Sequence, residues 1–294
     1  MNEATGVVPL PYTRAQIGER LGPTGTETMA RALRWMILGR ALDARMQGLQ
    51  RQGRVGFYGA ATGQEAVSVA AGLGSTPDDW ILPGLREQLV ALVRGHPLGR
   101  YVHHLFADDL DPARGRNMPC HPTASEVHYV SMSSVIGTQV THAVGVAYGM
   151  KVRRSPGVAF AFFGDGATSA NDVHAGLNFA GVWRLPVVFC CTNNQWAISM
   201  PVSKQTAAPE LAGKAAAYGI PGHRVDGTGE RGADLACQHD LVDAPCGDGR
   251  QGGCHPALEL GAVRALHGDD HGRQRVACRP LAGGTGRGGP VHRA

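Results

Sequence analysis

The stretch VAFAFFGDGATSAND, residues 158–172, decides how this chain is read. Six apolar residues, Val158 to Phe163, run into Gly-Asp-Gly and then into a pattern that starts a helix. A continuous apolar run suits a strand buried on both faces, as in a parallel sheet covered by helices. Ser169 reads as the first residue of a helix, with Asp172 three residues on as its capping-box partner. That helix is expected to carry Val173, Leu177 and Val182 inward. Pro186 to Cys191 then reads as a second buried strand. Strand, helix and strand within about 35 residues form a βαβ unit, so the expected fold class is α/β, a parallel sheet flanked by helices.

Gly164-Asp165-Gly166 is followed by 26 residues and then by Asn193-Asn194. Asp165 falls at the carboxyl end of one predicted strand and Asn194 at the carboxyl end of the next, the edge where open α/β sheets bind ligands. One anionic and one amide oxygen there suit a hard divalent cation such as Mg²⁺, which completes its shell with phosphate oxygens and water. Glycines let the backbone approach a diphosphate, and the following helix start adds N–H donors. A backbone carbonyl after Asn194 is expected as third ligand. The competing enzyme reading is a phosphatase-like hydrolase, with GDGATSAND as its acidic motif. That chemistry needs an aspartate nucleophile after a strand. Its nearest candidate, Asp109-Leu110-Asp111-Pro112-Ala113, has the wrong fifth residue and no clear strand before it.

Outward from this unit, residues 1–25 form a polar leader, and Thr26 to Gln50 reads as one amphipathic helix. Its apolar positions are Met29, Leu33, Met36, Ile37, Leu42, Met46 and Leu49. Helices are also expected over Ala60–Ala71 and Glu87–Arg94. Hydrophobic residues make up 43% of the chain and charged residues 18%, an ordinary globular balance. The formal net charge is only +4, and the longest basic cluster, Lys151 to Arg154, reads as a solvated helix end, so nucleic-acid binding is not expected. The first residues have no apolar run and no stretch approaches 18 apolar residues, so no membrane partner and a cytoplasmic location are expected. Seven cysteines without regular spacing predict thiols. His103, His104, His121, His128, His142 and His174 fit no ligand spacing and read as surface or satisfied core positions. Cys237, Cys246, Cys254 and His255 match no zinc pattern.

After Thr228 the composition breaks. Residues 229–294 contain no Phe, Tyr, Trp, Ile, Met, Lys, Asn or Ser, where the density of residues 1–228 would give about 14. They hold 14 Gly, 8 Arg, 5 His and 4 Cys instead. The missing types mostly have AT-rich codons, as expected of a GC-rich gene read out of frame. The expected organisation is therefore a leader, 1–25, an incomplete α/β domain, 26–228, and a Gly/Arg-rich tail, 229–294, frameshifted and without ordered structure.

GDG-x26-NN resembles the thiamine diphosphate motif, and the surrounding text resembles the alpha subunit of the 2-oxo-acid dehydrogenases. The resemblance covers roughly residues 28–228. It is carried by RQGRVGFYGAATGQEA (51–66), DDWILPGLRE (78–87), SSVIGTQ (133–139), GDGATS (164–169), LNFAGVWRLPVVF (177–189), NNQWAIS (193–199) and YGIPGHRVDG (218–227). It implies the thiamine-diphosphate-binding fold, its C-terminal part here missing or disordered. It implies Mg²⁺ on Asp165, Asn194 and the carbonyl of Trp196, with Gly164, Gly166 and Ala167 along the diphosphate. It also implies Arg86 as the diphosphate-binding arginine, Ser134 and Ile136 at the aminopyrimidine, and a potassium ion, seen in some members, at Ser133, Thr138 and Gln139. The implied activity is oxidative decarboxylation of a 2-oxo acid with acyl transfer to lipoamide, branched-chain acids ahead of pyruvate. The implied partners are a beta subunit, in an α₂β₂ assembly, and the lipoyl transacylase of the complex. The chain departs from the family pattern at Leu85, Val135, Thr192 and residues 169–172. The active-site histidine loop expected past residue 228 is absent, since none of His239, His255, His267, His271 or His292 sits in a matching motif. A non-catalytic remnant that binds cofactor or partner weakly is the alternative.

Overall fold

The computed structural model of the chain describes residues 8–9, 25–226 and 238–243. The apolar runs form the strands expected of them. β1 (Val8–Pro9), β2 (Trp80–Leu82), β3 (Ala159–Gly164), β4 (Val187–Asn193), β7 (Gly222–Asp226) and β8 (Gln238–Asp243) make one sheet, in the order β1-β7-β8-β4-β3-β2. β5 (Trp196–Ala197) and β6 (Met200–Pro201) pair as a small hairpin. β2, β3 and β4 are mutually parallel, whereas β8 runs antiparallel to both β4 and β7. β8 lies inside the segment expected to form no structure. Its six residues gain ladder hydrogen bonds on two sides, which require no apolar periodicity. The remainder of that segment lies outside the described residues.

The helices are α1 (Gly25–Arg51), α2 (Glu65–Gly74), α3 (Gln88–Val93), α4 (Leu98–Phe106), α5 (Thr138–Arg153) and α6 (Asn171–Trp183). Both faces of β3 are buried. Ala159, Ala161 and Phe163 join a cluster with Val140, Val144, Val173 and Leu177 of α5 and α6. Phe160 and Phe162 point the other way, to Ile81, Val90, Ala91 and Tyr129. A third cluster gathers α1, α2, α3 and α4 around Leu42, Met46, Leu49, Leu89, Tyr101 and Leu105.

Four local expectations change. α6 starts at Asn171, after a 3-10 turn over Asp165–Ser169, and no side chain caps it, so the Ser169–Asp172 capping box does not form. The turn takes Ser169, whereas a capping box needs it as the residue that opens the helix. Val182 is 67% exposed, because α6 turns only Val173, Gly176, Leu177 and Ala180 onto the sheet. Met29, Leu33 and Ile37 of α1 are exposed too, and its buried apolar stripe is confined to Ala32 and to the half from Leu42 onward. α2 starts five residues later than expected. The basic cluster does close a helix: Arg154 takes a left-handed C-cap at the end of α5.

Candidate functional site

Because β2, β3 and β4 are parallel, their carboxyl ends share one edge, and each leads into a loop singled out from sequence. Gly164 stands opposite Thr192 in the β3–β4 ladder. Asp165 and Asn193-Asn194 therefore emerge side by side. Asp165 is 2% exposed, and its carboxylate accepts hydrogen bonds from the Asn194 backbone N–H and, more loosely, from Gln205 Nε2 at 3.4 Å. Burial pushes this carboxyl above the ordinary range, and those N–H donors pull it only partly back. Among the described residues no cationic side chain pairs with it. A desolvated anion without a counter-charge is expensive to keep, and a bound cation is the remedy the geometry leaves open.

The chain after β4 is shaped to close on Asp165. Asn193 Oδ1 accepts the Gln195 N–H and Asn194 Oδ1 accepts the Trp196 N–H, each at 3.0 Å. These two Asx turns, with Gln195 and Ile198 in the left-handed region, reverse the chain into the β5–β6 hairpin. Ala197 of that hairpin rests on Gly166, where a Cβ would fall 2.5 Å from the Ala197 Cβ. Only glycine lets the two loops approach this closely. Trp196, whose carbonyl is the expected third ligand, is therefore held one residue from that contact.

The other expected residues reach the same edge from different elements. Gly84, between β2 and Arg86, lies against the Phe162 carbonyl near the end of β3. Arg86 is half-buried, and its Nη1 donates to the Ala60 carbonyl. The 133–139 loop arrives through Gly137, at φ +88°, which packs on Ala170, Val173 and Asp172 at the start of α6. Gln139 Nε2 donates to the Phe162 carbonyl at 2.6 Å, and the Ser133 hydroxyl accepts the Val135 N–H at 3.2 Å. Ser134 is exposed and bonded to His121 at 2.5 Å. Among the described residues no hydrogen bond joins Arg86, Ser134 or Ile136 directly to Asp165. The edge gathers them without linking them. An apolar fringe surrounds it: Val135, Ile136, Trp196, Ile198 and Met200 are each at least 45% exposed.

The phosphatase reading fails on position. Asp109 and Asp111 both follow α4, not a strand, and the buried Asp111 carboxylate accepts the Ala113 and Gly115 N–H groups and is paired with His104. Three of its roughly four lone-pair sites are thus engaged inside the fold. His104 and His121 are satisfied core positions, as expected. Among the described residues no group of three or more His, Cys, Asp or Glu is placed to hold a metal, so any cation at Asp165 relies on one carboxylate and neutral oxygens.

The Dehydrogenase E1 component family matches residues 33–233, well over half of the sequence and all of the segments just described. The chain belongs to that family. Similar proteins include 2-oxoisovalerate dehydrogenase subunit alpha 1, mitochondrial, of Arabidopsis thaliana, 44% identical over 178 residues, covering 60% of this chain and 38% of the relative. The 3-methyl-2-oxobutanoate dehydrogenase subunit alpha of Mycobacterium tuberculosis (strain ATCC 25618 / H37Rv) is 43% identical, covering 76% of this chain and 61% of the relative. Pyruvate dehydrogenase E1 component subunit alpha of Bacillus subtilis (strain 168) is 40% identical, covering 72% and 55%. This E1 chain thus spans about two fifths to three fifths of the length of these relatives.

Three residues at the E1 edge were not singled out as site residues from the sequence. Gln205 touches Asp165 across 40 positions, a bond that no local spacing announces. Glu87, beside Arg86, is 6% exposed, and burial pushes its carboxyl up to about 7, against the pull of the Arg86 N–H and charge. His121 is the third, and its bond to Ser134 spans 13 positions.

Proposed function

We propose that this chain is the thiamine-diphosphate- and Mg²⁺-binding alpha subunit of a 2-oxo-acid dehydrogenase, acting with a beta subunit as α₂β₂ and passing an acyl group to lipoamide on a transacylase. One observation carries the proposal: Asp165, buried at the carboxyl end of β3 beside Asn194, is a carboxylate with N–H donors and no counter-cation among the described residues. The residues fit the group. Asp165 would supply the anionic ligand to Mg²⁺, with the Asn194 amide oxygen and the Trp196 carbonyl as neutral ones. The backbone of Gly164, Gly166 and Ala167 would face the diphosphate. Arg86 is anchored through Nη1 alone, which leaves its other N–H donors for phosphate oxygens. Ser134 and Ile136 would border the pyrimidine. Bound there, the cofactor supplies the electron sink for loss of carbon dioxide. For potassium, the Ser133 and Thr138 hydroxyls and the Gln139 amide oxygen are the loop's oxygen donors, the Gln139 nitrogen being engaged by the Phe162 carbonyl.

The names of two of the relatives favour a branched-chain 2-oxo acid, with pyruvate next. The exposed fringe of Val135, Ile136, Trp196, Ile198 and Met200 supports a site closed by another subunit. A cytoplasmic location is part of the same proposal. A second reading, a remnant that binds cofactor without turnover, is favoured by the compositional break after Thr228 and the absence of a matching histidine loop. Sequencing the gene across codons 215–240 decides between them: a shifted frame that continues with aromatics, Ile, Lys and a histidine loop supports the remnant.

Calorimetry tests the site itself. Asp165→Ala should abolish Mg²⁺-dependent thiamine diphosphate binding, and an unchanged affinity refutes the assignment. Arg86→Ala should weaken binding by about 1.5–3 kcal/mol, the range for a charge-assisted hydrogen bond. An equal loss for thiamine lacking phosphate would remove Arg86 from this role.

A further inference from the structure

We propose that His121 is a positioning residue that makes the Ser134 hydroxyl a hydrogen-bond acceptor, aimed at the amino group of the cofactor's pyrimidine; the ligand half of this rests on the function proposed above.

The inference follows protons through a buried chain of bonds. Asp111 anchors it. Its Oδ1 accepts the Ala113 N–H at 2.9 Å, and its Oδ2 accepts the Gly115 N–H at 2.8 Å. His104, 3% exposed, presents Nδ1 to Asp111 Oδ1 at 3.1 Å, so Nδ1 carries a proton. Its Nε2 lies 3.2 Å from the backbone N–H of His121, a group that can only donate. His104 Nε2 is therefore a bare acceptor, and the His121 backbone is tied to it.

His121, 5% exposed, repeats the logic with its side chain. Its Nδ1 is 3.0 Å from the Pro119 carbonyl, which can only accept, so Nδ1 carries a proton. In the neutral ring Nε2 is then an acceptor, and it lies 2.5 Å from Ser134 Oγ. Ser134 must give that nitrogen its single proton. Two more contacts hold the residue: Asn117 Nδ2 donates to the His121 backbone carbonyl at 3.1 Å, and the Phe57 ring lies 6.0 Å from the imidazole, tilted by 41°. The proton of Ser134 is thus turned inward, and what the exposed side of this residue offers a ligand is oxygen lone pairs. The pyrimidine ring nitrogens are themselves acceptors and would be repelled there. The amino group is the only N–H that a neutral aminopyrimidine carries, so Ser134 selects the ring orientation that brings it near.

Two measurements on the full chain test this. Nitrogen-15 spectra of the imidazoles read the tautomer without any cofactor. His121 should show a protonated Nδ1 and a bare Nε2, with the Nε2 resonance moving in Ser134→Ala. An Nε2–H tautomer, a doubly protonated ring at neutral pH, or an Nε2 resonance indifferent to Ser134→Ala overturns the proposal. Calorimetry with Mg²⁺, on the chain alone and with its beta subunit, compares thiamine diphosphate with the analogue bearing oxygen in place of the amino group. The preference for the amino form should fall about tenfold in Ser134→Ala and in His121→Phe. A preference unchanged in a folded Ser134→Ala overturns the assignment of the amino group. If the wild-type chain binds neither compound in either setting, the proposed function fails, while the spectra still decide whether His121 sets the Ser134 proton.

Discussion

Two buried aspartates sit in this chain, and their surroundings push them in opposite directions. Asp111 is 3% exposed and Asp165 is 2% exposed. Burial raises both. At Asp111, however, the N–H groups of Gly115 and Ala113 and the His104 ring more than offset it, and the carboxyl falls below the ordinary range. At Asp165 its own N–H, the Asn194 N–H and Gln205, the last at 3.4 Å, do not offset burial, and the carboxyl stays above it. The first is a structural carboxylate with its charge already met inside the fold. The second is a carboxylate whose charge the fold leaves for something else to meet. That contrast, rather than burial itself, separates a site from a staple.

Glu87 provides the largest test of the contrast. It belongs with Asp165, buried and raised, to about 7, and it accepts the Arg86 N–H at 3.1 Å. The native chain therefore keeps a proton that the unfolded chain gives up near 4.5. Stability should fall as pH rises from 4.5 to 7 and level off above, by at most about 3 kcal/mol. Denaturant midpoints across that window should fall less steeply for Glu87→Gln, with the remaining slope left to groups such as Asp165; an unchanged slope in the variant would assign the effect elsewhere. For Asp111 the sign reverses. Its contribution is present above the ordinary carboxyl range and is lost as pH falls through its lowered native value. Asp111→Asn should cost about 1.5–3 kcal/mol at neutral pH and leave thiamine diphosphate affinity nearly unchanged. The smallest effect is expected at Asp165, and it is a gain. Asp165→Asn should stabilise the ligand-free chain by about 0.5–1.5 kcal/mol above its native pKa, because an uncompensated charge is removed. A loss of stability on thermal melting there would erase the distinction between the two aspartates.

Much of the edge is legible in the order of amino acids. Val158 to Phe163 and Pro186 to Cys191 have no polar residue, and runs this short bounded by Gly and Pro suit a strand covered on both faces. Hence spacing alone locates the ends of β3 and β4, and with them Asp165 and Asn194. The starts and faces of the helices are less legible. Ser169 followed by Asp172 has the form of a capping box, yet the turn through Asp165–Ser169 takes Ser169 before α6 can begin. Met29, Leu33, Ile37 and Val182 have the right period for a core, but periodicity says which residues share a face and not whether another element covers that face.

Strand burial and turn chemistry act over a few neighbouring residues. The amino-acid order is therefore enough to establish an α/β chain with a carboxylate and an amide at adjacent strand ends, while the E1 assignment rests on the resemblance of the matched segments. Four properties come from the folded chain instead: Asp165 meets no counter-charge among the described residues, Asp111 has its charge met, Glu87 is desolvated, and His121 takes the Ser134 proton. They depend on which donors and acceptors the folded loops bring within about 3 Å of one another, at sequence separations that carry no periodic trace.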